Sequence, residues 1–173
     1  GCNFGVGNEW YANTYGTSAG VPHHVTLGAN SSANFGSANT PHEMRGDLII
    51  NNNSTLALST ASGGDLYIKG NWTRTALGVF NANLRAVKFN GTSGDQTITR
   101  TGGGTESFPY LIIAKATGQA VVLAGAPNAT NVNVDGFNGG STLQLMGGDI
   151  DLNQQTLNFT SYLNANQNNI GID

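Results

Sequence analysis

Charge is the first thing this sequence has little of. Only 10% of its 173 residues are Asp, Glu, Lys or Arg, against roughly 25% in an ordinary soluble domain. Seven Lys and Arg are scattered along the chain and the formal net charge is −3. That argues against nucleic acid, whose phosphates demand clustered basic residues. Long apolar runs are missing as well: nothing approaches the ~20 residues a membrane-spanning helix needs, so no membrane insertion is expected. Cysteine occurs once, at Cys2. It cannot close an internal disulfide and is read as incidental or as paired with something outside this chain. No 3.6-residue stripe of Leu, Ala, Glu and Lys runs anywhere, which leaves helix for a short cap at most. The opening "GCNFGVGNEW" lacks the basic and apolar stretches of a leader, so a mature or excised chain is expected.

What replaces the charge is 25 glycines with abundant Asn, Ser and Thr. Gly and Asn tolerate positive φ, so this is a composition for many corners and short strands. The apolar residues fall in a three-residue beat, apolar–x–apolar. It begins at Val25, Leu48, Leu66, Val87, Leu111, Val132 and Ile150, at intervals of 18 to 24 residues. A second beat follows in most units: "ANF" at 33–35, "LAL" at 56–58, "VVL" at 121–123, "LQL" at 143–145 and "LNF" at 157–159. Each beat is a period-2 strand with two side chains on one face. The spacers "NNNST", "ASGG", "NGTSGD" and "MGGD" carry turn chemistry. A unit of about twenty residues cannot bury its own apolar face, whereas stacked units can, which is the physics of a solenoid.

The expected fold is therefore all-β, a right-handed parallel β-helix (β-solenoid) of about seven coils of ~20 residues. Residues 1–22 form a lead-in or capping segment and residues 23–173 the repeats, continuing beyond the chain as given. "GDLII" at 46–50 and "GDLYI" at 64–68 are taken as the same place in successive coils. A β-sandwich, which also has short strands and frequent turns, is the alternative.

Residues 64–113 carry a further signal, a phrase made by Leu66, Ile68, Gly70, Asn71, Trp72, Phe80, Val87, Phe89, Gly91, Gln96, Ile98, Phe108, Leu111 and Ile113. This phrase resembles a repeat of giant secreted, cell-surface proteins of gliding bacteria. The resemblance implies a right-handed β-solenoid, export by the type IX secretion route, and an extracellular, cell-surface place in adhesion or gliding. The sorting domain of such proteins does not appear in the chain as given, which is expected to be part of something longer.

Candidate sites are few. Tyr67, Trp72, Tyr110 and Phe137 are the aromatic groups suited to stacking on sugars if they face out, since an aromatic ring offers contact area at small ordering cost. Trp72 in "GNWT" also suits a corner or the core. Asp47, Asp65 and Asp149 each follow Gly and precede a strand. Asp47 and Asp65, read as neighbours, could hold Ca²⁺ or act as an acid–base pair on a polysaccharide; the simpler reading is a corner carboxylate accepting backbone N–H bonds. His23 and His24 are adjacent, and so expected on opposite faces of a strand, which disfavours a metal. No cofactor and no catalytic residue is assigned. Two readings result. One is a non-catalytic extracellular stalk or adhesin segment, partnered by neighbouring modules of the same long chain, surface polysaccharide or secretion machinery. The other is a carbohydrate-binding or polysaccharide-cleaving β-helix.

Overall fold

The computed structural model describes residues 2, 3, 10, 20–135 and 142–159. Among these there is no helix. After β1 (Cys2–Asn3), the first turn consists of β2 (Val25–Leu27), β3 (Ser32–Asn34) and β4 (His42–Met44). The second is β5 (Leu48–Ile50), β6 (Thr55–Ala57) and β7 (Leu66–Ile68), and the third β8 (Trp72–Thr75), β9 (Val79–Asn81) and β10 (Ala86–Phe89). The fourth is β11 (Gln96–Thr101), β12 (Thr105–Phe108) and β13 (Tyr110–Ala114), and the fifth β14 (Ala120–Ala124), β15 (Asn131–Val134) and β16 (Leu143–Gly147). β17 (Asp149–Asp151) and β18 (Leu157–Phe159) open a sixth.

Stacking these turns gives a three-sided β-solenoid of about five turns. Side one is β2-β5-β8-β11-β14-β17, and side three is β4-β7-β10-β13-β16. Side two is divided into β1-β3-β6-β9 and β12-β15-β18. Every pairing is parallel, as the register Val25–Leu48–Trp72–Ile98–Leu123 illustrates on side one. Parallel ladders throughout rule out the antiparallel sandwich. At about 4.8 Å per strand step, β2 to β17 rise roughly 25 Å.

Seven coils of ~20 residues are not what the strands make. Leu48 pairs with Trp72 on side one, while Leu66 pairs with Val87 on side three. The two "GDL" phrases therefore open different sides of the same turn. Hydrogen-bonded partners on adjacent turns are separated by 21 to 26 residues in most cases.

Apolar side chains at the in-pointing positions stack into a dry interior: Leu48, Ile50, Leu56, Leu66, Ile68, Trp72, Val87, Phe89, Ile98, Leu111, Ile113, Val121 and Leu123 are all fully buried. Each such group contributes about 1.5–3 kcal/mol relative to exposure. At the first-turn end Trp10 is buried edge-on against Phe35, 5.0 Å between centroids, and donates Nε1–H to the Glu43 carbonyl. His42 stacks flat on the same Phe35 at 4.0 Å, and its burial lowers its pKa.

The corners are where the polar sequence goes. Asn30, Asn53 and Asn128 take the left-handed conformation between sides one and two (φ 62, 58 and 58°), which Asn adopts at small cost. Ahead of side one, a side-chain acceptor on one turn takes the backbone N–H directly above it. His24 Nδ1 accepts from Asp47, Asp47 Oδ1 from Asn71, Asn71 Oδ1 from Thr97, and Asp95 Oδ1 from Ala120, at 2.7–2.9 Å. These bonds carry the inter-turn ladder past the ends of the strands.

Side two breaks between β9 and β12, and side-chain bonds bridge the gap. Arg74 Nη1 donates to the Gly78 carbonyl of its own turn, while Nη2 and Nε donate to the Thr105 carbonyl and Glu106 Oε2 of the turn above. Glu106 occupies an in-pointing position, in register with Val132, and is fully buried. The indole Nε1–H of Trp72 donates to the same Oε2 at 3.0 Å. Arg100, paired with Arg74 on side one, donates to the Thr75 and Ala76 carbonyls. Burial and the adjacent Arg74 push its guanidinium below its ordinary pKa, and Glu106 opposes them.

Candidate functional site: an open groove on side three

Alternation along β13 turns Leu111 and Ile113 inward and leaves Tyr110 and Ile112 facing out. Register then fixes their neighbours. Tyr110 lies beside Ala86, and Ile112 between Lys88 and Gln144. One outward column of side three runs Glu43, Tyr67, Lys88, Ile112, Gln144. Where this face meets the corner from side two, a solvent-open groove of about 420 Å3 forms. Tyr110, Ile112, Gln144, Arg85, Leu84 and Asp65 are among the residues that line it.

The corner positions Arg85. Asn83 and Leu84 both have positive φ (50 and 59°), and the Arg85 amide bonds back to the Ala82 carbonyl. Arg85 Nε donates to the Asn83 carbonyl at 3.2 Å. Leu84 in this conformation is strained, because its Cβ crowds the carbonyl, and its side chain is exposed. Asp65 Oδ1 accepts the Ala86 N–H from the turn above at 2.9 Å.

No protein-family model, curated protein or solved structure matches this chain.

Of the expected sugar-stacking aromatics, Tyr110 lines the groove and Tyr67 lies on the same face two strands away. Lys88 Nζ sits 5.2 Å from the Tyr67 ring centroid, a cation–π contact. Burial, with Asp65 and Glu43 nearby, raises the Tyr67 phenol pKa. Trp72 is a correction: it is fully buried, edge-on to Phe80 and Phe108, and cannot meet a ligand. Phe137 lies outside the described residues.

Asp47 and Asp65 are not neighbours, because they lead into sides one and three. Each holds the corner above it by accepting a backbone N–H, so the corner reading describes both. Among the described residues no group of three or more His, Cys, Asp or Glu side chains is arranged to hold a metal. His23 and His24 do not point apart as expected. Their rings lie 4.2 Å from one another, since both precede β2 and strand alternation does not apply. His24 also approaches Asp47 Oδ2 at 3.5 Å.

Sequence reasoning missed Arg85, Lys88 and Gln144 as parts of one face. Only inter-turn register brings them beside Tyr110. The available signal was the period-2 pattern in "RAVKF" and "TLQL", which turns Lys88 and Gln144 outward.

Proposed function

We propose that this chain is a non-catalytic length of a rigid β-solenoid stalk in a large bacterial surface protein, working outside the cell in adhesion or gliding. The observation that carries the reading is the continuity of the parallel ladders and apolar columns through successive turns. Even where side two changes sheets, Arg74 and Glu106 span the gap. Such a body resists bending and holds whatever it bears at a fixed distance.

The resemblance of residues 64–113 to repeats of gliding-bacterial surface proteins supports the location, with right-handed winding and type IX export as its corollaries. Most residues of that phrase form the interior: Leu66, Ile68, Trp72, Val87, Phe89, Ile98, Phe108, Leu111 and Ile113 are fully buried. Gly91 and Gln96 pair through a 2.7 Å bond from the Gly91 amide to Gln96 Oε1. The partners of the stalk are neighbouring modules of its own chain and, on its exposed sides, surface polysaccharide or the secretion machinery. Support for binding over cleavage comes from the groove, where Asp65 is the single carboxylate among the lining residues; glycoside hydrolysis ordinarily uses two, roughly 5–9 Å apart.

Antibody against this segment, applied to intact cells that produce it, tests the reading. Labelling without lysis, with loss of attachment or gliding on deletion of the segment, is the expected result. Labelling that requires lysis, or new reducing ends released from polysaccharide by the purified protein, would replace it.

A further inference from the structure

We infer that the side-three groove is a binding site for an acidic polysaccharide, with a uronate carboxylate held by Arg85 and a sugar ring stacked on Tyr110. The first ground is the disposition of basic side chains. Arg74 and Arg100 are committed to the break in side two. Lys115 is buried, its Nζ donating to the Gly91 and Gly94 carbonyls and to Gln96 Oε1. Lys69 is paired with Glu43. Arg45 is engaged in an interaction of its own. Arg85 and Lys88 remain, half-buried and without an acidic partner among the described residues. Both belong to side three and its leading corner, and Arg85 lines the groove. On a chain of net charge −3, this places unpaired positive charge on one face.

The second ground is what surrounds that charge. With Nε tied to the Asn83 carbonyl, neither Nη of Arg85 has a hydrogen-bond partner among the described residues. That leaves donors for a carboxylate, which a guanidinium fork matches in planar geometry. Tyr110 and Ile112 supply apolar area for the C–H face of a pyranose, and the exposed Gln144 amide can both donate to and accept from hydroxyls. Lys88 lies beside Ile112 in register, a strand step of about 4.8 Å, where it would meet the carboxylate of a following sugar. An open groove on a parallel sheet suits an extended chain, which can run past the walls in both directions. Asp65 does not cancel the field, because one carboxylate stands against two cations and its Oδ1 already accepts a backbone N–H.

This goes beyond the stalk reading and can fail separately, since a rod without a glycan site still labels on intact cells. Purified protein would be titrated by calorimetry with an oligogalacturonate hexamer and with its methyl ester, at low and high salt. The acid is expected to bind, and the ester about tenfold more weakly or not at all. Arg85→Gln should lose about tenfold and Arg85→Lys less, with melting little changed in both because the one side-chain bond of Arg85, to the Asn83 carbonyl, is exposed. Tyr110→Phe should retain binding, and salt should weaken it. Equal binding of acid and ester, wild-type affinity in Arg85→Gln, or no binding of the acid would overturn the proposal. So would a sulfated dextran that binds where the uronate does not.

Discussion

Arg74 donates from Nε to Glu106 Oε2 at 2.7 Å across the line where side two changes from one sheet to the next. Glu106 has no solvent exposure and Arg74 little. Removing one member of a buried pair leaves the other charged and uncompensated, at a cost of about 3–5 kcal/mol. Glu106→Leu alone should therefore destabilise by that amount in urea denaturation, and by more than Arg74→Met/Glu106→Leu together. The double variant loses both charges at once and returns much of the stability. A Glu106→Leu protein as stable as wild type would show that the break is held by something else.

The same region shows what could be read from the residues and what could not. Short alternating beats separated by Gly and Asn are enough to give a parallel solenoid, because no single turn can bury its own face. Assigning each beat to a side requires the turn length, and "GDLII" against "GDLYI" misled by matching Gly46–Asp47 to Gly64–Asp65. The pairs that recur ahead of side one are Gly46–Asp47, Gly70–Asn71, Gly94–Asp95 and Gly118–Gln119, spaced by 24. Three-residue strands look alike on every side, so local similarity cannot distinguish one turn from a third of a turn. The groove was hidden for the same reason. Tyr110 was identifiable as an aromatic candidate, but its proximity to Arg85 depends on pairing β13 with β10.

Glycine at the side-one corner has a steric role that differs along the stack. A Cβ on Gly70 would fall on the backbone of Gly46 and Asp47 in the turn below, well inside van der Waals contact. Gly118 has open space around its Cβ position and a φ of +77°. Gly70→Ala should therefore cost about 1–3 kcal/mol through separation of the turns, and Gly118→Ala about 1–2 kcal/mol from the left-handed conformation alone. The two mechanisms are separable, since Gly118→Asn should recover part of its loss and Gly70→Asn none. Equilibrium unfolding of the four variants checks this.

The carboxylates ahead of the strands are expected to act as backbone acceptors rather than as calcium ligands. Asp47→Asn keeps Oδ1 for the Asn71 amide and should be nearly neutral, while Asp47→Ala should cost about 1 kcal/mol. Millimolar calcium should leave the melting temperature where it was. A rise of several degrees that disappears in Asp47→Ala or Asp65→Ala would restore the calcium reading.

Leu84 holds a left-handed conformation that β-carbon sterics oppose, and its side chain gains little burial in return. Replacing it with Asn, which tolerates this φ, should stabilise the protein by about 1 kcal/mol. The measurement is the urea midpoint at unchanged slope, and a lower midpoint would mean that the exposed Leu side chain holds the corner through contacts that Asn cannot make.

His42 should make stability depend on pH in a definite direction. The imidazole is buried flat against Phe35, and desolvation lowers its pKa below the ordinary 6.5, with the Thr40 backbone opposing the shift. The unfolded chain takes up a proton near pH 6.5, where the folded protein still holds the ring neutral. Between that pH and the lower folded value the unfolded state binds more protons, so acidification favours unfolding. Stability should therefore be level from pH 8 down to about 6.5, fall as the pH is lowered through the window below it, and stop falling on this account once the folded value is passed. His42→Phe keeps a ring on Phe35 and removes the titration, so its pH profile should be flatter over the same window. Urea unfolding of both proteins at a series of pH values reads the difference directly, and parallel profiles would show that the acid sensitivity does not come from His42.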